Sequence, residues 1–102
     1  MLIRIVKMKF KPENLDAFLT HFEEVKWQVA QFEGCLGMEL LQDNQDPSIV
    51  FTYSKWNSEL DLERYRQSAL FNGIWPKIKP WFDQKAQAWS LNQTFNGIIW
   101  EK

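Results

Sequence analysis

The sequence has very little of the residues that build disulfides, metal centres and covalent active sites. Its 102 residues include one cysteine and one histidine. A single cysteine cannot close an intramolecular disulfide, and it leaves no CxxC or Cys/His cluster for zinc. We therefore expect no bound metal, and we expect a cytoplasmic location because an unpaired thiol suits a reducing compartment.

Long apolar runs and an excess of one charge are also missing. Lys and Arg number 12 and Asp and Glu number 13, so the formal net charge is -1. A basic footprint for nucleic acid or anionic lipid is therefore absent. Arg4, Lys7 and Lys9 interrupt the N-terminal apolar residues, and no run is long enough to span a bilayer. We expect neither nucleic acid nor a membrane as a partner.

Aromatic residues, by contrast, are abundant. They make up 16% of a chain whose length fits one domain with one core, and they include six tryptophans, more than such a core needs. Tyr and Trp side chains around a void form a flat apolar slot with a few hydrogen-bond donors, which suits a planar aromatic ligand. Packing in the core is the alternative for each of them. The candidates are Tyr53, Trp56, Tyr65, Trp75, Trp81 and Trp89.

Periodicity predicts six elements in the order β-α-β-β-α-β. Strands are expected at 2–10, 36–42, 48–56 and 86–95, a helix at 12–34, and a broken helix or two short ones at 57–82, with breaks at Gly73, Pro76 and Pro80. The alternation in the first strand places one set of side chains on one face: Leu2, Arg4, Val6, Met8 and Phe10. This order is that of an α+β, ferredoxin-like fold with an antiparallel sheet and both helices on one face.

The other face of this sheet needs a cover. The third strand is apolar on both sides, with Ile49, Phe51 and Tyr53 alternating with Val50 and Thr52. We predict a homodimer in which two such faces pack together. The domain would occupy residues 1–95, and residues 96–102 would be an extension that follows a type I′ Asn-Gly turn, as an edge strand or one exchanged between subunits.

Two rare residues have open interpretations. In the stretch "FEGCLGMELL", Gly34 suits a left-handed cap of the first helix. Cys35 suits a small buried position in the second strand, and Gly37 allows close packing. A redox-sensing cysteine and a cysteine nucleophile are the alternatives. His21 lies at the edge of the apolar stripe of the first helix, so it faces solvent or is partly satisfied, or it looks into a cavity as a proton acceptor.

The stretches "FEGCLGMELLQD" and "FTYSKWNSELDLERYRQSALF", after a helix that begins "KPE", resemble the antibiotic biosynthesis monooxygenase family over about residues 1–94. Trp56, Ser58 and Glu59 match the aromatic strand end and the helix cap of that family. The resemblance implies a dimeric α/β barrel. The family includes quinone-forming monooxygenases without cofactors, haem-degrading enzymes and members of unknown function, so the fold alone does not give the chemistry.

The resemblance also implies site residues. In similar enzymes a Trp near the end of the third strand and Tyr or Asn around the second helix hold a phenolic substrate, which implies such roles for Trp56, Asn57 and Tyr65. No cofactor is implied, because an ionised hydroquinone-like substrate can itself reduce oxygen while the protein stabilises the anion and excludes water. An arginine would help, if Arg4, Arg64 or Arg66 faced the site. Our catalytic candidates are His21, Trp56 and Tyr65, and our substrate-binding candidates are Tyr53, Asn57, Trp75 and Trp89.

Two alternatives compete with a monooxygenase that acts on a planar aromatic or quinol-type molecule. The first is a non-catalytic dimeric module that binds an apolar small molecule or only has the fold. The second, haem degradation, is less favoured, because the enzymes of that branch use an Asn on the first strand and a late-helix His ligand. Residues 1–10 contain no Asn, and Trp75 stands where the ligand would be.

Overall fold

The computed structural model describes residues 1–98, which form four strands and three helices. The elements are β1 (Leu2–Phe10), α1 (Leu15–Ala30), β2 (Cys35–Gln42), β3 (Ile49–Trp56), α2 (Glu59–Arg66), α3 (Ala69–Ile78) and β4 (Phe82–Asn92), with 3₁₀ turns at Pro12–Asn14 and Lys79–Trp81. All paired strands are antiparallel, in the sheet order β2-β3-β1-β4. The predicted ferredoxin-like α+β fold is therefore confirmed. None of the helices in residues 1–98 is both long and apolar enough to cross a bilayer.

The first helix ends earlier than predicted. It stops at Ala30, and Gln31 rather than a glycine caps it. Gly34 does adopt the expected left-handed conformation, with φ of 88°, but it lies in the turn that leads to β2. A Cβ atom at this position would overlap the side chain of Asp61 in α2. Glycine is therefore needed here both for the backbone conformation and for the close approach of α2.

The second helical segment is broken, as predicted, but at a different place. α2 ends at Arg66, and Ser68 begins α3 by accepting a 3.1 Å hydrogen bond from the backbone N–H of Phe71. Gly73 and Pro76, predicted as breaks, lie inside α3. The serine cap decides the boundary, because its side chain satisfies an N–H that the start of a helix leaves free.

The last strand begins at Phe82 rather than at residue 86 and ends at Asn92 rather than at residue 95. β4 has these bounds because it pairs with β1 along its length, from the pair Phe10–Phe82 to the pair Leu2–Asn92. The predicted type I′ turn at Asn96–Gly97 is wrong, because neither residue has a positive φ. The Asn96 side chain instead accepts a 3.2 Å hydrogen bond from the N–H of Ile98. Residues 99–102 of the predicted exchanged segment lie outside the described residues.

The two faces of the sheet differ. The face beneath the helices carries the alternating side chains predicted for β1, and two buried clusters form on it. One cluster contains Met8, Phe10, Phe18, Val50 and Ile78, and the other contains Leu2, Trp56 and Leu62. The helices leave the other face uncovered, where Ile5 pairs with Tyr53 on one side and Trp89 on the other. Leu41, Trp89 and Leu91 on that face are 42–46% exposed.

Candidate functional site

A cavity of about 340 Å³ lies between the sheet and the helices. β1, β3 and β4 form its floor through residues such as Val6, Thr52 and Ala88, and all three helices contribute to its walls. Its volume is at the low end of the range for small-molecule sites. Most of its lining is apolar or aromatic, and the polar lining side chains are Arg4, Thr52, Ser54, Tyr65 and Arg66.

One wall of the cavity is a run of touching aromatic rings. Trp56 at the end of β3 stacks on Tyr65 of α2, with ring centroids 5.3 Å apart. Tyr65 meets Phe71 edge to face at 5.3 Å, and Phe71 stacks on Trp75 of α3 at 5.7 Å with 11° between the ring planes. This wall offers flat apolar surface to a planar ligand.

Trp56 contributes its ring to this wall while its polar atom points into the protein. The side chain is fully buried. Its Nε1–H donates a 2.9 Å hydrogen bond to the hydroxyl oxygen of Ser54. The one donor of the indole is therefore satisfied within the protein, and only the ring of Trp56 faces the cavity.

Tyr65 has a strongly perturbed hydroxyl. Burial raises the pKa of Tyr65 to about 12, and the negative charge that Cys35 carries when ionised adds to the increase. The hydroxyl therefore stays protonated at neutral pH, as a hydrogen-bond donor on a side chain that lines the cavity.

Cys35 is half-buried and its thiol lies 3.5 Å from the carbonyl oxygen of Gly37. Burial raises the pKa of the Cys35 thiol, which outweighs the opposing effect of that hydrogen bond. A raised pKa disfavours the thiolate that a nucleophile or a redox sensor needs. The geometry thus favours the structural interpretation of this residue.

Two arginines bring positive charge to the cavity. Arg4 projects from β1, and its Nη1 donates a 2.9 Å hydrogen bond to the hydroxyl of Ser90. Arg66 reaches the cavity from the last residue of α2. Burial lowers the pKa of Arg4, the charge of Arg66 lowers it further, and Glu63 opposes the change. Arg64 does not line the cavity and pairs with Asp61 at 3.0 Å.

The structure brings only some of the predicted site residues together. Trp56, Tyr65 and Trp75 line the cavity. Tyr53 and Trp89 lie on the opposite, uncovered face of the sheet. The other two candidates, Asn57 and His21, also lie outside the cavity lining. Asn57 is exposed just before α2.

His21 is buried in α1, and its Nε2 has no hydrogen-bond partner within residues 1–98. Burial lowers the pKa of His21, the charge of Lys77 adds to this, and Glu24 opposes it. Of the first expectation, that His21 faces solvent or is partly satisfied, the second form fits the buried side chain with its unpartnered Nε2. The alternative expectation that it looks into the cavity is not met, because the lining does not include it.

The sequence contained one signal for the arginines. Arg4 stands among four apolar residues on the inward face of β1, where burying a charge is costly unless a partner compensates it. No comparable signal exists for Arg66, because it is one of several charged residues on a short polar helix. Within residues 1–98, no cluster of three or more potential metal ligands occurs.

Comparison with known proteins identifies similar chains. The family model for antibiotic biosynthesis monooxygenase matches residues 1–74. A crystal structure of an antibiotic biosynthesis monooxygenase has a TM-score of 0.87 and 23% identity, over 92% of this chain and 99% of that one. A conserved protein from Methanosarcina mazei Go1 has a TM-score of 0.85 and 23% identity, over 92% of this chain and 94% of that one. Rv0793 from Mycobacterium tuberculosis has a TM-score of 0.86 and 11% identity, over 95% of this chain and 98% of that one. At these identities the structural likeness shows the fold alone, and no curated protein matches the chain.

Proposed function

The chain belongs to the antibiotic biosynthesis monooxygenase family, and from this we propose that it is a cofactor-independent monooxygenase that oxidises a planar phenol or quinol-type molecule in the cavity. The observation that supports this is the combination, in one cavity, of a stacked aromatic wall with the Tyr65 donor and positive charge from Arg4. A flat apolar surface binds the ring, and the donor and the charge favour its ionised form.

The reaction balances without another reactant, as 1-naphthol shows. The phenol releases its proton to solvent, and the phenolate passes one electron to O₂. The aryloxyl radical and superoxide combine at the ring carbon para to the oxygen, and the resulting peroxide takes up a proton. Loss of water breaks the O–O bond and the C–H bond at that carbon and forms the second carbonyl. The products are 1,4-naphthoquinone and one water molecule, each with one atom of the O₂.

The residues of the cavity supply binding and electrostatics. Tyr65 donates to the phenolate oxygen, and the charges of Arg4 and Arg66 lower the pKa of the bound phenol. The rings of Trp56 and Trp75 hold the substrate plane and keep water away from the radical pair. His21 has no part in this scheme, because it lies outside the cavity lining.

The test is oxygen uptake with a panel of polycyclic phenols and hydroquinones, including 1-naphthol and anthrone, followed by ¹⁸O₂ labelling of the product. Label in the product distinguishes oxygenation from oxidation that yields hydrogen peroxide. We expect Tyr65→Phe to lower kcat by roughly 10²-fold, as the loss of one donor to an oxyanion does. The matched control is Tyr53→Phe, the other tyrosine of the chain, on the opposite face. Uptake no faster than in protein-free buffer, or equal rates for Tyr65→Phe and the wild type, would refute the proposal.

A non-catalytic binding module is the second candidate. It is favoured by the absence of any histidine or carboxylate from the cavity lining within the described residues. This function predicts saturable binding of phenols with no oxygen uptake, so the same panel separates the two. Haem degradation has less support, because the cavity lining contains no histidine, the ligand that enzymes of that branch use.

We also propose that the protein is a cytoplasmic homodimer whose subunits pack through the uncovered sheet faces. Tyr53, Ile5 and Trp89 form a row across β3, β1 and β4, with exposed Leu91 beside it. Contiguous apolar surface of this kind marks an interface. Light scattering should report a dimer for the wild type, a monomer for Leu91→Glu and a dimer for the control Leu60→Glu, whose leucine is 60% exposed on α2. A monomeric wild type would contradict the proposal.

A further inference from the structure

We propose that the ligand of the cavity is an aromatic carboxylate whose anionic group lies between Arg4 and Arg66 while its rings lie on the aromatic wall. The inference rests on the proposed function only in that it uses the same cavity. It adds a second anionic group to the substrate. The phenolate oxygen still accepts the hydrogen bond of Tyr65, and two arginines with one carboxylate leave one positive charge that favours the ionised phenol.

Arg4 is the first reason. It projects from the centre of the sheet into a mostly apolar cavity and is partly buried. Within residues 1–98, its side chain has one hydrogen bond, to the neutral hydroxyl of Ser90, and no ion pair. A buried cation is costly unless an anion compensates it. The charge of Glu63 acts on Arg4, but no carboxylate of the described residues forms an ion pair with it, so the guanidinium is available to a charged ligand.

Arg66 is the second reason. It lines the same cavity, and its positive charge adds to burial in lowering the pKa of Arg4. Its only partner in the described residues is Glu63, through one 3.3 Å contact in which both side chains are 48% exposed. Such a surface pair is weak. Two guanidinium groups that repel each other at one cavity are stabilised together by a single anion between them.

The shape and lining of the cavity define the rest of the ligand. Guanidinium groups match the planar, two-oxygen geometry of a carboxylate. An inorganic anion would leave the aromatic wall of Trp56, Tyr65 and Trp75 unfilled, whereas a molecule with fused rings covers it. The volume of about 340 Å³ suits a ligand of two or three rings.

The test compares 2-naphthoate with 2-naphthamide, a neutral molecule of nearly the same shape. Titration calorimetry at neutral pH gives Kd for each, and quenching of tryptophan fluorescence reports occupancy beside Trp56 and Trp75. We expect the wild type to bind naphthoate at least about tenfold more tightly than the amide, as a charge-assisted hydrogen-bond pair implies. Arg4→Gln and Arg66→Gln should each remove most of this preference. Arg64→Gln, the matched control on α2, should retain it because Arg64 does not line the cavity.

Several results would overturn the inference. They are equal affinity for the acid and the amide, an unchanged preference in both Arg4→Gln and Arg66→Gln, and no saturable binding of naphthoate at all. If Arg4→Gln does not fold, Arg66→Gln decides, because Arg66 is half-exposed and its loss leaves the core intact. Oxygen uptake with neutral phenols despite equal affinities would leave the monooxygenase proposal standing and remove this one. Preferential binding of naphthoate without oxygen uptake would support this inference and remove the monooxygenase proposal.

Discussion

Filling the cavity should separate its functional role from its structural one, and Ala88→Leu is the most direct way to do so. Ala88 lies on β4 opposite Val6 of β1, and both side chains line the cavity. Ala88 is also exposed, so the space above its methyl group is free. Most substitutions that remove a binding site also weaken the fold, whereas this one adds apolar contacts inside an existing void.

The expected size of the effect follows from the added carbons. Leucine adds three carbon atoms to alanine, and each buried CH₂ contributes about 0.8 kcal/mol, so full burial would stabilise the protein by roughly 2.4 kcal/mol. Part of the side chain stays accessible in a partly open cavity, so we expect about 1 kcal/mol. That gain raises Tm by about 4–8 °C for a domain of this size. The same side chain occupies the ligand's space, and we expect the affinity for 2-naphthoate and the rate of oxygen uptake to fall at least about tenfold.

Thermal unfolding and calorimetric titration of the same samples test both parts. Ala17→Leu is the control, since Ala17 is exposed on α1 and does not line the cavity. It should change neither Tm nor binding appreciably. If Ala88→Leu binds naphthoate and consumes oxygen like the wild type, the cavity is not the site and the reasoning fails. A lower Tm for Ala88→Leu would show that the void is too narrow for the added side chain.

Three further predictions concern single residues. Ser54→Ala should destabilise the fold by about 1–3 kcal/mol in urea titrations, because the buried N–H of Trp56 loses its acceptor, and the cost should largely vanish in a Trp56→Phe background. Gly34→Ala should cost more than the roughly 1–2 kcal/mol of a left-handed alanine, because its Cβ atom would also overlap Asp61. A cost within that range would contradict the close approach of α2. Burial lowers the pKa of His21 below 6.5 in the folded state, so the unfolded chain binds a proton more readily than the folded one. The free energy of unfolding should therefore fall as the pH drops below 6.5. The fall should be smaller in His21→Leu than in the wild type when Tm is compared at about pH 7.5 and 5.5.

Local patterns in the sequence predicted the fold and one part of the site. The alternation in β1 is a local property of an extended chain, so it placed Arg4 correctly on the face with Val6 and Met8. The helix boundaries were less predictable. Ser68 ends one helix and starts the next through a single side-chain hydrogen bond, and Pro76 is tolerated inside α3. Propensity alone did not locate that break.

The faces of the aromatic residues were not predictable in the same way. Tyr53 and Trp56 lie three residues apart on β3 and therefore point to opposite faces, one toward open space and one into the core. The sequence does not say which face is covered, and a shift of one residue in register would exchange the two. Packing of α1, α2 and α3 on one face made Trp56, Tyr65 and Trp75 neighbours and left Trp89 on the other side.

The sequence by itself determined the order of the elements, the fold class and the presence of an aromatic excess, because these depend on composition and on contacts between near neighbours in the chain. Only the tertiary structure decided that Arg4 and Arg66, one from the first strand and one from the end of α2, line a single cavity without an acidic residue in its lining among the described residues. Charges interact through space rather than along the chain, so their partners are defined only after the helices have packed on the sheet.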